Sequence, residues 1–116
     1  MKNKEPMEEI IREFYRKVFD GRDAEAAREY LTEDYIQHNK GVETGREGFI
    51  STFGEAFRAG KKMDLKILHI IQKKDIVSVC LDTGVNMVTD FYRVNDQGML
   101  CEHWDIFIPY GKEVGK

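Results

Sequence analysis

Apolar side chains recur at three- and four-residue steps early in the chain, at Ile10, Ile11, Phe14, Val18 and Phe19. That spacing predicts an amphipathic helix, with Pro6 well placed as its first residue and Gly21 as its end. Asp23 can cap a short second helix, Ala24 to Leu31, that buries Ala27, Tyr30 and Leu31. Tyr35-Ile36-Gln37-His38-Asn39 alternates apolar and polar positions, which predicts a short strand running into a loop around Gly41 and Gly45. A third helix opens at Thr44 or Gly45. Its Phe49, Ile50, Phe53, Ala56 and Phe57 share a face, so three phenylalanines form an apolar wall before Gly60 ends the helix.

From Met63 the period changes to two. Strands are expected over Met63 to Ile71, Ile76 to Leu81, Asn86 to Val94 and Met99 to Ile108, with Pro109 closing the last. Lys73-Lys74-Asp75, Asp82-Thr83-Gly84 and Asn95-Asp96-Gln97-Gly98 are the turns between them. Helices followed by a meander of strands define the α+β class. With 116 residues the chain forms one domain, 1–116, in which three helices pack against a curved, mostly antiparallel sheet and leave a cavity at the open end.

The final hairpin holds the candidate chemistry. With a two- or four-residue turn, Val94 faces Met99 and Asp90 faces His103, their Cβ atoms ~4.5–5.5 Å apart. A three-residue loop with a bulge would shift that pairing by one. Asp105 lies two residues beyond His103 and so on the same face. Two carboxylates and an imidazole near an apolar wall are the ingredients of a proton-transfer site, because burial raises a carboxyl pKa toward neutrality and the imidazole can share the proton. The other reading is an ordinary cross-strand polar pair on a solvated face, with His38 a satisfied loop histidine. Trp104, Ile106, Ile108 and Phe91 point to the opposite face, which suits a dimer interface or packing under a terminal segment.

Composition narrows the classes. Hydrophobic residues at 41% and charged residues at 34% support a packed core, and a net charge of −3 lacks the basic excess that nucleic acid demands. The first residues lead into no apolar stretch, and no run of ~18 apolar residues occurs, so no membrane partner and a cytoplasmic location are expected. Cys80 and Cys101 lack CxxC spacing and are expected to be buried, reduced thiols. GxSxG, GxxxxGK[ST] and HExxH are missing. Metal binding by His38, His103 and Asp90 has no characteristic ligand motif behind it, so no metal and no organic cofactor are expected.

Four segments, Tyr35-Ile36-Gln37-His38-Asn39, Gly45-Arg46-Glu47-Gly48, Asp90-Phe91-Tyr92-Arg93 and Glu102-His103-Trp104-Asp105, together resemble the SnoaL-like branch of the nuclear transport factor 2-like (NTF2-like) superfamily. The resemblance runs from the first helix to Pro109. It implies an α+β cone, usually dimeric, around an apolar pocket. Characterised SnoaL-type members are polyketide cyclases that close a ring by intramolecular aldol condensation without metal or organic cofactor, using an acidic side chain as acid and base. The superfamily also holds isomerases, dehydratases, epoxide hydrolases and binding modules, so fold alone does not set function.

Carried over by residue, the resemblance places Asp90, His103 and Asp105 on the strands that supply the pocket's polar groups, and His38 and Asn39 on the loop at its mouth. The chain departs from the family pattern at Lys40, where members commonly carry proline. The expected function is therefore an acid/base enzyme in which the Asp90–His103 pair takes a proton beside a carbonyl and Asp105 positions or returns it. Tyr35, Phe53 and Phe57 would hold a small apolar molecule, and a homodimer would form through the outer sheet face. The alternatives are a non-catalytic small-molecule-binding dimeric module, or an isomerase or hydrolase on the same scaffold.

Overall fold

A computed structural model describes residues 7–61 and 63–111. The first helix, α1 (Met7–Tyr15), turns its apolar stripe inward and buries Met7, Ile11, Phe14 and Tyr15. It then widens into a π-helical turn, Arg16–Asp20, and the Gly21 N–H closes that turn on the Arg16 carbonyl at 2.8 Å. A Cβ on Gly21 would stand 2.6 Å from the Lys17 carbonyl oxygen, so only glycine fits the turn. The wider turn keeps Val18 and Phe19 on the core side, where a straight α-helix was expected to run on. The expected second helix is a 3₁₀ segment, Ala24–Glu29, and the Asp23 side chain makes no cap. Pro6 lies outside the described residues.

Strand β1 (Leu31–Gln37) begins four residues earlier than alternation alone suggests, because Leu31 and Tyr35 are both buried while Glu33 and Asp34 between them face water. Gly45, at φ +87°, starts α2 (Arg46–Arg58) without a side-chain cap. Arg22 fastens the far end of α2: its guanidinium donates to the Phe57 and Lys61 carbonyls, both at 2.9 Å, and lies over the Phe57 ring. Four strands follow: β2 (Lys66–Lys73), β3 (Ile76–Asp82), β4 (Asn86–Val94) and β5 (Leu100–Pro109).

The sheet is curved and unclosed, ordered β1-β5-β4-β3-β2. Three neighbouring pairs are antiparallel, and β1 lies parallel to β5, with Gln37 opposite His103. Phe14 sits at the centre of the core, its ring against Tyr15, Phe19, Tyr30, Phe49 and Tyr92. Val77, Val79, Leu81 and Leu100 supply the sheet side of that core.

The β4–β5 register corrects the expected one. Val94 pairs with Leu100, an irregularity follows, and from there Arg93 faces Glu102, Tyr92 faces His103 and Asp90 faces Asp105. The turn therefore takes five residues, 95–99, with the Asn95 N–H on the Met99 carbonyl at 2.9 Å, and Cys101 occupies the bulge. Relative to the expected pairing the strands have slid by two residues. An even slip keeps every side chain on its face, so Asp90, His103 and Asp105 still share the concave side.

On the convex side, Ile71, Met87, Ile106 and Ile108 are exposed, and Phe91 faces Trp104. Cys80 is buried, Cys101 is partly so, and both are free thiols. No helix among the described residues is long and apolar enough to cross a membrane.

Candidate functional site

A cavity of about 330 Å³ lies between α2 and the concave face of the sheet. Tyr35, Phe49 and Phe53 line it on one side and Leu81 and Val88 on the other, with Asp90, His103, Asp105, Gln37 and Asn39 supplying polar groups. These polar side chains sit where they do because β1, β4 and β5 are adjacent and each contributes alternate residues to one face.

Hydrogen-bond bookkeeping fixes the histidine. The Asn39 backbone N–H donates to Gln37 Oε1 at 3.0 Å, so that oxygen is an acceptor. His103 Nδ1, 2.6 Å from the same oxygen, must then carry a proton. The other ring nitrogen, Nε2, lies 3.1 Å from Asp90 Oδ1. Two lone pairs cannot face each other at that distance, so a further proton is held between Asp90 and His103. The side chains of His103 and Asp90 are only 8% and 12% exposed, which keeps bulk water from competing for it.

Asp90 is held from behind as well. Tyr15 Oη donates to Asp90 Oδ2, and Tyr92 Oη lies 2.8 Å from Tyr15 Oη. Burial, reinforced by the Asp90 charge, pushes the Tyr15 and Tyr92 phenols well above their ordinary pKa, so both remain protonated donors. Tyr15 does not line the cavity, whereas Tyr92 does.

Asp105 completes the cluster. Asn39 Oδ1 accepts the Gly41 N–H at 2.8 Å, which orients the amide so that Nδ2 donates to Asp105 Oδ2 at 2.7 Å. Burial pushes the Asp105 carboxyl above its ordinary pKa and the Asp90 charge adds to this, while His103 and the Asn39 hydrogen bond pull the other way. Among the described residues nothing hydrogen-bonds Asp105 Oδ1, and that oxygen is not sealed from the cavity. The arrangement offers a shared proton on one side and a carboxyl of raised pKa on the other. One ligand atom each from Asp90, His103 and Asp105 also lie within 4.8 Å of one another, a donor set that could accept a divalent cation in place of the shared proton.

Six of the eight residues expected at the site line the cavity: Asp90, His103, Asp105, Tyr35, Asn39 and Phe53. His38 does not. It lies on the convex side, stacked on Trp104 at 5.1 Å and paired with Glu102 at 2.8 Å, because alternation sends it away from Gln37 and Asn39. A metal set of His38, His103 and Asp90 is thereby ruled out geometrically, the sheet standing between its members. Phe57 also stands outside the lining, packed behind Phe19 and Phe53. Tyr15, Gln37 and Tyr92 are the site residues that sequence reasoning missed. Gln37 and Tyr92 had a readable signal, each being two positions from a cavity residue on its own strand.

Fold and site together give a five-stranded sheet whose concave face carries two carboxylates and an imidazole in a cavity. The chain belongs to the SnoaL-like domain family, whose model matches residues 11–103, within the NTF2-like superfamily. No curated protein matches it in sequence. Among solved structures, IdmH from Streptomyces antibioticus, a proposed polyketide cyclase, is 23% identical over 87% of this chain and 91% of its own, with a TM-score of 0.68. A proposed polyketide cyclase from Acidithiobacillus ferrooxidans is 18% identical over 92% of this chain and 91% of its own, with a TM-score of 0.72. A SnoaL-like protein of unknown function from Burkholderia thailandensis is 8% identical over 92% and 98%, with a TM-score of 0.75. Structures named as a proposed hydroxylase and an epoxide hydrolase also match, so the likeness establishes the scaffold and not one reaction.

Proposed function

We propose that this chain is a cofactor-independent acid/base enzyme acting on a small apolar carbonyl compound, of the SnoaL-like aldol type. The observation that supports this most directly is the 3.1 Å contact between Asp90 Oδ1 and His103 Nε2 on the wall of an apolar cavity. A ketone whose oxygen meets Asp105 brings the neighbouring C–H to that pair. The C–H electron pair moves toward the carbonyl oxygen as an enolate, the proton passes to the pair, and the Asp105 carboxyl hydrogen-bonds the developing charge. In an aldol closure the enolate carbon then attacks a second carbonyl of the same molecule, and the new alkoxide takes the proton back. Solved structures named as proposed polyketide cyclases favour this type over the others on the scaffold.

The reading includes a second copy of the chain on the convex face. An apolar strip of Met87, Ile106 and Ile108 is bordered by Lys66 and Asp82 at one end and by Arg93 and Glu102 at the other. Charges of both signs at each end let the strip meet its own two-fold copy with unlike charges opposed.

The test is hydrogen exchange at carbon. With 2-acetonaphthone in D₂O near neutral pH, deuterium is expected to enter the methyl group faster with protein than with buffer, read by proton NMR. Asp90→Asn and His103→Ala are each expected to slow this by about 10²-fold or more. Binding of the ketone with no exchange would leave a small-molecule-binding module as the account.

A further inference from the structure

The same cavity limits what can occupy it by size, charge and shape. A dry cavity of ~150 Å³ accepts one benzene ring, so about 330 Å³ scales to two rings, or ~13 non-hydrogen atoms. Its charged lining is all acidic: Asp64, Asp90 and Asp105 face it, no lysine or arginine does among the described residues, and His103 is already engaged on both nitrogens. An anionic ligand would lose its hydration beside these carboxylates with no cation to replace it.

Shape adds a direction. Phe19, Phe49 and Phe53, their rings set edge to face or tilted against one another, line the helix side, and the branched aliphatic surface of Leu81 and Val88 lines the sheet side, so the rings of a ligand meet apolar atoms on both faces. Along β4 the lining runs from Asp90 through Val88 to Asn86, and along β5 from Asp105 to the half-exposed Phe107. At ~3.4 Å per residue the cavity is roughly 10–14 Å long, with Asp90, His103 and Asp105 at one end and Thr83, Val85, Asn86 and Phe107 at the other.

We infer that the cavity takes an uncharged, two-ring ketone or phenol, bound with its oxygen at Asp105 and its rings between Phe53 and Val88. This deepens the acid/base reading and rests on that reading only for the claim that the ligand is a substrate. Compounds that need a fixed anionic group, such as free aryl carboxylates or phosphate esters, fall outside the class.

Calorimetric titration of the full chain near neutral pH with four probes tests it: acetophenone, 2-acetonaphthone, 2-acetylanthracene and 2-naphthoate. The second ring is expected to tighten binding about tenfold over acetophenone, from the extra apolar area buried. The third ring, reaching past the cavity, should add less than about threefold, and 2-naphthoate, matched to 2-acetonaphthone in size, should bind at least about tenfold more weakly. In Phe53→Ala the gain from the second ring should fall to less than about threefold, since the aromatic side chain it packs against is removed. Equal or tighter binding of 2-naphthoate overturns the charge assignment. A full gain from the third ring in the unaltered protein overturns the size assignment, and failure of all four probes to bind overturns both. The pattern with no methyl exchange sinks the acid/base proposal and keeps the ligand class; exchange with no preference for ring number or charge does the reverse.

Discussion

The hydroxyl of Tyr15, at the end of α1, donates to Oδ2 of Asp90 in the middle of β4, 75 positions further along the chain. This bond joins the helical layer to the Asp90–His103 pair from behind the cavity wall. Tyr92 Oη touches Tyr15 Oη and not Asp90, so the two phenols form a chain ending on the carboxylate. The phenols thus hold the Asp90–His103 pair at one end, and Gln37 Oε1, accepting from the far ring nitrogen, holds it at the other.

Tyr15→Phe removes the donor that meets Asp90 Oδ2 directly and leaves a buried carboxylate oxygen short of a partner, at a cost of about 1–3 kcal/mol in stability. Tyr92→Phe removes only the second link and is expected to cost less. Urea unfolding of the two variants checks the order. Equal losses would mean that the phenols act by packing alone. Methyl exchange should also slow more in Tyr15→Phe than in Tyr92→Phe, because only the first disturbs Asp90 itself.

Asp105 gives a prediction with a definite sign. Burial raises its carboxyl pKa in the folded chain above the unfolded value, so the folded state binds this proton more tightly. Below the unfolded pKa both states are protonated and the group costs nothing. As pH rises toward and through the folded pKa, the folded protein loses stability relative to one without the group. Asp105→Asn keeps an acceptor for Asn39 and removes the charge, so it should be more thermostable than the original at about pH 7.5, with the difference closing by about pH 3.5. A gap that widens toward acid would show the opposite shift. The same variant should lose about 10²-fold or more in methyl exchange, having lost its acid.

Much of this site is legible in the chain because strand alternation is robust to error. A two-residue slip of β5 on β4 replaced the expected Asp90–His103 pair by Asp90–Asp105, yet the imidazole reaches Asp90 diagonally from the neighbouring row. The slip itself was not readable: Asn95-Asp96-Gln97-Gly98 fits several loops, and nothing marks Cys101 as a bulge. Adjacency to Asn39 suggested the mouth for His38, but one position along a strand is the other side of the sheet. Phe57 shares a helical face with Phe53, yet the cavity closes one turn earlier, where Phe19 comes between. Tyr15 was hidden for a different reason. The π-helical turn that follows it depends on Gly21 packing against Lys17, a tertiary fit with no periodic signature.

The convex face yields the last prediction. Ile106 and Ile108 alternate outward from β5 while Asp105 and Phe107 point inward, so a substitution at Ile106 changes the outer surface without entering the cavity. Ile106 is 54% exposed and Ile108 58%, a large apolar area to leave in water beside Met87. If two copies bury this strip, light scattering after size exclusion should give twice the mass of one chain at micromolar concentration, and the melting temperature should rise with protein concentration. Ile106→Glu places a charge in the middle of the strip and opposite its own copy, which should weaken association by about 10²-fold or more and abolish the concentration dependence. Binding of 2-acetonaphthone to the monomeric variant should stay within about twofold, because the cavity is built from one chain. A single-chain mass for the unaltered protein at all concentrations up to about 100 μM would remove the second copy from the account while leaving Asp90, His103 and Asp105 where they are.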